Sequence, residues 1–356
     1  MKKLLVGAAL FCAAIFAFAY NPPFNGEDLY RLTNPDLLSS TSASGGPIFS
    51  VIPASITLNP SLLAWEQRTI VNLSYTGLID ASERNTSDSK YGQGFQVGLA
   101  IPTKLMVFSG TVQGVFSRLP GLDAGNSLVL HLGASKDVTE RLLFGMNIYG
   151  GYYFDGTGGN DFTVGADLGA LYQFDDMGFL KSPRLGVAIL NMGKPLVNSN
   201  IKVLGIDGTA ENVSFPAIFT PSVSFAATLF EIQDFKGGFS ADLSFPTFQN
   251  VAFATAFGFA YKDIVNLNIG WNVNLRELIN KSIVNWPSVG LSFKFSITSA
   301  TIAKASNDWE KSEIRPSLAW QNLNGGIQAI SAGVTMDLGM RDTTPPEIIL
   351  WDGEEE

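Results

Sequence analysis

The sequence predicts an all-β chain, a transmembrane antiparallel β-barrel of about 14 strands with a short N-terminal segment serving as hatch or plug. Three observations predict it. The chain is apolar, with 46% hydrophobic and 15% charged residues, where about 25% charged is usual. Yet no apolar run of about 20 residues follows the N-terminus, so no helix is expected to span a bilayer. Long segments instead alternate apolar and small polar residues, and period two puts successive side chains on opposite faces of a strand. Many of these segments run about 10–15 residues, against about 5–6 for soluble strands, and a tilted membrane strand needs about 9–11.

The first 19 residues read as a cleaved signal peptide. MKK is a basic head, LLVGAALFCAAIFAF an apolar core and Ala17-Phe18-Ala19 a small-residue cleavage site. The bulky Phe11 fits poorly before a lipid-modified Cys12. Cleavage removes Cys12, the only cysteine, and with it any disulfide or thiol chemistry from the mature protein. The net charge of −9 argues against nucleic-acid binding.

Residues 20–66 form the expected hatch segment. Within it NPSLLAW (59–65) carries a turn signal. Asn59 suits an N-cap, since its side chain can accept from the free backbone N–H groups that follow. Pro60 suits the first helical position, where no N–H is needed. Ser61 to Trp65 complete a short apolar turn that can fold back into the lumen. Ile48, Phe49, Val51, Ile52, Ile56, Leu58, Leu62, Leu63 and Trp65 are the apolar residues of this segment and the candidates for packing the hatch or meeting an apolar ligand.

The wall follows over 67–340. In GFQVGLAI (94–101), Phe95, Val97, Leu99 and Ile101 share one face. In DFTVGADLGALYQF (161–174) the apolar face runs from Phe162 to Phe174, with Leu171 as an exception on the polar face. VNLNIGWNVN (265–274) alternates throughout. The strands are expected at 67–79, 92–102, 104–118, 126–136, 140–155, 160–175 and 183–192, then at 217–231, 237–247, 250–262, 264–274, 286–298, 313–321 and 326–339. Tight connections at 101–104, 136–140 and 261–263 alternate with long ones at 81–93, 117–126, 193–216 and 276–286, as outer-membrane barrels require. The connections 175–183 and 299–313 are long where short turns are expected. A secreted β-sandwich would also alternate, but its water-facing side should carry many charges. Here that side is Gly, Asn, Ser and Ala, which suits a crowded lumen. Residues 341–356 form an acidic tail, placed in the periplasm.

Parity puts His131, the only histidine, on the polar face, together with Asp167, Asp242, Lys294 and Asp337. A lumenal histidine could act as a base, and Lys294 could pair with an acid or bind a carboxylate. The plainer reading is that these groups hydrate the interior. No nucleophile motif accompanies His131, and one histidine without a mature cysteine makes a poor zinc site. No enzyme activity, metal or cofactor is expected. GTGGND (156–161) links two strands and reads as a turn, not a phosphate loop.

SGGPIFSVIPASITLNPSLLA (44–64) resembles the N-terminal signature of the FadL/PorV-like outer-membrane barrels, in which a Gly-rich stretch leads into an Asn-Pro turn. RLGVAILNMGKPL (184–196) is similar to a strand end of the same family, through Leu185, Gly186, Asn191, Met192 and Gly193. FPAIFTPSVSFAATL (215–229), ADLSFP (241–246) and FGFAYKDIVNLNIGW (257–271) extend the resemblance over about residues 40 to 340. The family's acidic residues before the Asn-Pro are replaced here by Ile52-Pro53-Ala54, and the last strand lacks a terminal aromatic. The resemblance implies a fourteen-stranded barrel with an N-terminal hatch, in contact with outer-membrane lipid. It also implies uptake of a hydrophobic small molecule such as a long-chain fatty acid. PorV-like members imply an alternative, a non-transporting barrel whose 193–216 loop holds an exported protein; a barrel that acts as a surface protein is a further alternative.

Overall fold

The computed structural model describes residues 26–39, 42–81, 90–117, 119, 125–154, 159–204, 210–279, 286–298, 311–323 and 326–339. The expected signal peptide and the tail 341–356 lie outside the described residues, as do residues 156–158 of the turn 156–161 and the connection 299–310.

The wall begins with β1 (Thr69–Asp80), β2 (Tyr91–Pro102), β3 (Val107–Ser117), β4 (Gly125–Asp137), β5 (Leu142–Phe154), β6 (Asn160–Gln173) and β7 (Lys181–Lys194). A hairpin of β8 (Leu196–Leu204) and β9 (Ala210–Phe215) forms a sheet of its own. The wall resumes with β10 (Thr220–Ile232), β11 (Phe235–Ser244), β12 (Ala252–Tyr261) and β13 (Val265–Asn274). It ends with β14 (Ser288–Phe293), β15 (Phe295–Thr298), β16 (Lys311–Leu323) and β17 (Ile327–Leu338). Both β14 and β15 pair with β16 and are separated only by Lys294, so they act as one broken wall strand. The described wall is therefore a closed antiparallel barrel of 14 strands. Closure runs through β1 and β17, in register from Thr69 opposite Leu338 to Asp80 opposite Ile327. Closure leaves no unpaired sheet edge, which is what lets strands cross a bilayer.

Side-chain parity decides the two faces. Along β5, Leu142, Phe144, Met146, Ile148, Tyr152 and Phe154 point outward and are exposed, while Leu143, Asn147, Tyr149 and Tyr153 point inward and are buried. A face of such exposed apolar residues repeats on β2, β4, β6 and β12. It is stable only against lipid, where burial removes it from water. Aromatics collect at strand ends, as in the Tyr172–Phe174 and Phe235–Tyr261 pairs at the short-turn rim and Tyr152–Phe154 at the other.

All fourteen expected wall segments are present, shifted at their ends by a few residues. The connection 193–216, expected as a loop, instead forms the β8–β9 hairpin; its pairing runs from Leu196 opposite Phe215 to Leu204 opposite Ala210. Leu196 and Phe215 are buried at its base. The long connection after β6 is real and is pinched by a Met177–Leu180 bridge.

The described residues ahead of β1 lie inside the lumen. They include a 3-10 turn Gly26–Thr33, a short helix Pro35–Ser39 and two further 3-10 turns, Pro53–Thr57 and Pro60–Leu63. The core lies between this segment and the wall. Leu29, Leu32 and Leu38 share a cluster with Leu78, Val115, Tyr153 and Phe215. Ile56 and Leu63 pack on Ile70, Ala100 and Val107. Leu62 packs on Leu143 and Leu171, so the exception in the β6 alternation is the wall's contact with the lumenal segment.

Candidate functional site: the lumenal segment and its cavities

Two Asn-Pro turns anchor the lumenal segment. The Asn59 side-chain carbonyl accepts from the Ser61 N–H (3.0 Å) and from the Ser61 hydroxyl (2.7 Å). Its amide donates to the carbonyls of Ala43 (2.6 Å) and Ala170 (3.1 Å), tying the turn to β6. The Ser135 hydroxyl donates to the Pro60 carbonyl at 2.7 Å. Backbone and wall meet here so closely that a Cβ at Gly145 would strike the Pro60–Ser61 peptide, and one at Gly169 the Asn59 side chain. The second turn, at Asn34-Pro35, uses the same chemistry. Asn34 accepts from the Asp36 N–H at 2.8 Å and donates to the Asn72 side chain at 2.8 Å. Asn72 in turn accepts from Gln96 (2.9 Å) and donates to Thr335 (2.8 Å), joining three wall strands. Reading only NPSLLAW missed this anchor, although NPDLL (34–38) repeats the NPxLL pattern of 59–63.

A cavity of about 280 Å³ lies in the short-turn half of the barrel, reaching Asp263 in the turn before β13. Ile48, Phe49, Val51, Ile52, Leu58 and Leu62 of the lumenal segment form its apolar side. Asn266, Asn268, Ser292, Lys294 and Arg315 of the wall face them. The structure thus brings six of the nine apolar hatch residues together around one space. Ile56 and Leu63 are spent on the wall contact instead. Trp65 meets the Phe49 ring edge-on, with centroids 5.9 Å apart. Phe49 is also held from the wall by the Arg184 guanidinium, 4.7 Å from its ring centre. Arg184 donates to the Ser44 and Gly46 carbonyls at 3.1 and 2.9 Å, fixing the glycine-containing bend of the segment.

Charge concentrates on the polar side. Lys294 pairs with Glu313 at 2.9 Å, and Arg68 reaches the same carboxylate oxygen at 3.1 Å. Asp337 lies beside Glu313 in the β16–β17 register. Arg315 stands 3.5 Å from Asp36. It is largely buried, and its Nε and Nη2 make no hydrogen bond among the described residues. The parity set by exposed Leu318 and Trp320 turns Glu313 and Arg315 inward, so the alternation that selected Lys294 could have found both.

Two smaller cavities of about 110 Å³ each occupy the long-loop half. One is lined by Tyr30, His131, Tyr149 and Asp167. His131 and Asp167 are buried and are bridged by Asn147, whose amide lies 3.0 Å from the His131 Nδ1 and donates to Asp167 at 2.6 Å. Burial pushes the Tyr30 phenol above its ordinary pKa, so it stays neutral against this space. The other is lined by Ala43, Asp242, Ser244, Pro246 and Asn272. Asp242 accepts from the Ser42 hydroxyl (2.7 Å) and the Ala43 N–H (3.1 Å), so this candidate fastens the lumenal segment to β11. No group of three or more His, Cys, Asp or Glu residues placed to hold a metal occurs among the described residues.

No family model matches the chain, and no curated protein matches it. Solved structures do. The fold is similar to that of the TodX monoaromatic hydrocarbon channel in its deltaS2 mutant form, at 12% identity over 88% of this chain and 100% of that one, with a TM-score of 0.56. The toluene transporter TbuX of Ralstonia pickettii is similar at 11% identity over 88% and 99% of the two chains, with a TM-score of 0.52. The toluene transporter TodX of Pseudomonas putida is similar at 13% identity over 87% and 100%, with a TM-score of 0.50. These are barrels of FadL type. At such identity the likeness is one of fold, and at that level it bears out the resemblance read from 44–64 and 184–196.

Proposed function

We propose that the chain is an outer-membrane uptake protein for hydrophobic small molecules and that long-chain fatty acids are its substrate class. The observation that carries this reading is the 280 Å³ cavity, lined by six of the apolar hatch residues of the lumenal segment and, from the wall, by the polar Asn266, Asn268 and Ser292 with Lys294, Arg315 and Asp263. An alkyl chain against Ile48, Phe49, Val51 and Leu62 gains about 25 cal/mol for each Å² removed from water. A carboxylate head finds Arg315, whose forked donors suit two oxygens at once. Similarity to hydrocarbon and toluene channels supports the apolar half of the reading. The lipid-facing wall supports the membrane location. In this reading residues 1–19 are a cleaved signal, 20–66 the hatch, 67–340 the wall and 341–356 a periplasmic tail.

Equilibrium binding of labelled oleate to the purified, heat-modifiable barrel tests it. Saturable binding is expected. Phe49→Ser should weaken it about tenfold, the equivalent of about 1.4 kcal/mol. Arg315→Gln should weaken oleate and leave methyl oleate unchanged. A folded barrel that binds no oleate, or binds it equally well in the Phe49→Ser variant, would sink the proposal.

A further inference from the structure

We propose that the two halves of the lumen communicate past one constriction, formed by Leu58 of the lumenal segment against the Leu190–Asn191 bulge of β7, and that Asp167 sets its width. The inference rests on the uptake reading, since it names the residues that would select what passes.

The cavities themselves point to these residues. Among their described lining residues, Leu58 alone borders all three spaces, the large one in the short-turn half and both small ones in the long-loop half. Leu190, Asn191 and Arg31 each border both small ones. Leu58 therefore stands where the spaces meet, and the β7 bulge faces it. Its backbone has little freedom. The Leu58 N–H donates to the Ser55 carbonyl at 3.0 Å, and the next residue is the anchored Asn59.

The bulge arises in the β6–β7 register. Ala166 lies opposite Met192 and Leu168 opposite Ile189, so Asp167 faces the two residues Leu190 and Asn191. An extra residue of this kind re-aims side chains, and here both Leu190 and Asn191 line the lumen. Asn191 takes a left-handed backbone, φ 61°, which asparagine tolerates better than most residues. Its N–H donates to one Asp167 oxygen at 2.6 Å, and the other oxygen accepts from Asn147 at 2.6 Å. The Asn191 carbonyl accepts from the Phe219 N–H at 2.9 Å. Asp167 thus holds the bulge from β6 through a bond that no regular ladder supplies. Without it Leu190 is free to return toward the wall and away from Leu58. Asp167 is a positioning residue in this account, and Leu58 and Leu190 are the selecting ones.

Single-channel ion conductance of the purified barrel in a planar bilayer tests the constriction without requiring a ligand. Leu58→Gly and Leu190→Ala approach it from opposite sides, and each should raise conductance several-fold. Asp167→Ala should raise it likewise, while Asp167→Asn, which keeps an acceptor for the Asn191 N–H, should stay near the native level. Adding Leu58→Trp to Asp167→Ala should close the path again. Leu63→Ala, at a buried wall contact that borders none of the three cavities, is the control. Native conductance in folded Leu58→Gly, Leu190→Ala and Asp167→Ala barrels would overturn the proposal, as would an equal rise in Leu63→Ala. Oleate binding by the same preparations separates the two readings. Unchanged conductance with oleate bound overturns the constriction and leaves uptake standing. Raised conductance with no oleate bound supports the constriction and overturns fatty-acid uptake.

Discussion

Single residues hold the lumenal segment through polar bonds that water cannot easily replace. Asn59 is the clearest case, because it is fully buried and bonds in two directions, inward to its own turn and outward to Ala43 and β6. Asn59→Ala removes a cap, worth about 1 kcal/mol, and leaves the Ala43 and Ala170 carbonyls short of a donor, at about 1–3 kcal/mol for a buried group. Urea titration of the refolded barrel should therefore show a loss of about 2–4 kcal/mol. The cap was legible in the sequence, since Asn-Pro before an apolar turn has a local meaning. The bonds to Ala43 and Ala170 were not, because their partners lie 16 and 111 residues away. Leu171 shows the same limit. Its wrong parity was visible, but only the fold supplies Leu62 and Leu143 as the reason.

Elements meet where side chains are absent. β5 and β6 bring Gly145 and Gly169 against the Asn59–Ser61 turn, and no Cβ fits at either position. Gly169→Val should displace the turn while leaving the strand ladders intact. Limited proteolysis should then cut the 42–66 segment in a barrel that still shifts on heating; a variant as resistant as the native protein would show that the turn is not held there. The strands themselves were the most readable elements, because period two is a local property of each segment. The β8–β9 hairpin was harder to read. Leu196, Phe215 and the residues between them carry little alternation, and their pairing slips between Asn198 and Lys202.

The whole molecule has two solvents, lipid outside and a packed polar lumen inside. Ile148, half-exposed at the middle of β5, sits on the lipid side, and its neighbour Asn147 is buried in the lumen. Ile148→Arg should cost about 2–4 kcal/mol when unfolding is followed in lipid vesicles, as expected for a cation near the bilayer midplane. A cost within about 0.5 kcal/mol, the range of ordinary exposed positions, would mean that this face meets water. The polarity of the lumen is uneven. The long-loop half holds the His131–Asn147–Asp167 chain, and the short-turn half the Lys294–Glu313–Arg68 cluster with Arg315.

By itself the sequence determined the barrel, its roughly fourteen wall strands, which residues face inward where the alternation is clean, as in 94–101, 161–174 and 265–274, and that an Asn-Pro turn precedes the wall. Each of these follows from spacing or local chemistry within one segment. Only the tertiary structure decided which inward residues share a space. It placed Phe49 across a cavity from Arg315, put the Leu190–Asn191 bulge opposite Asp167, and made Leu58 border three cavities. Those pairings depend on how far around the wall two strands lie and on where the lumenal segment crosses between them. Neither quantity is written in the period of any one strand.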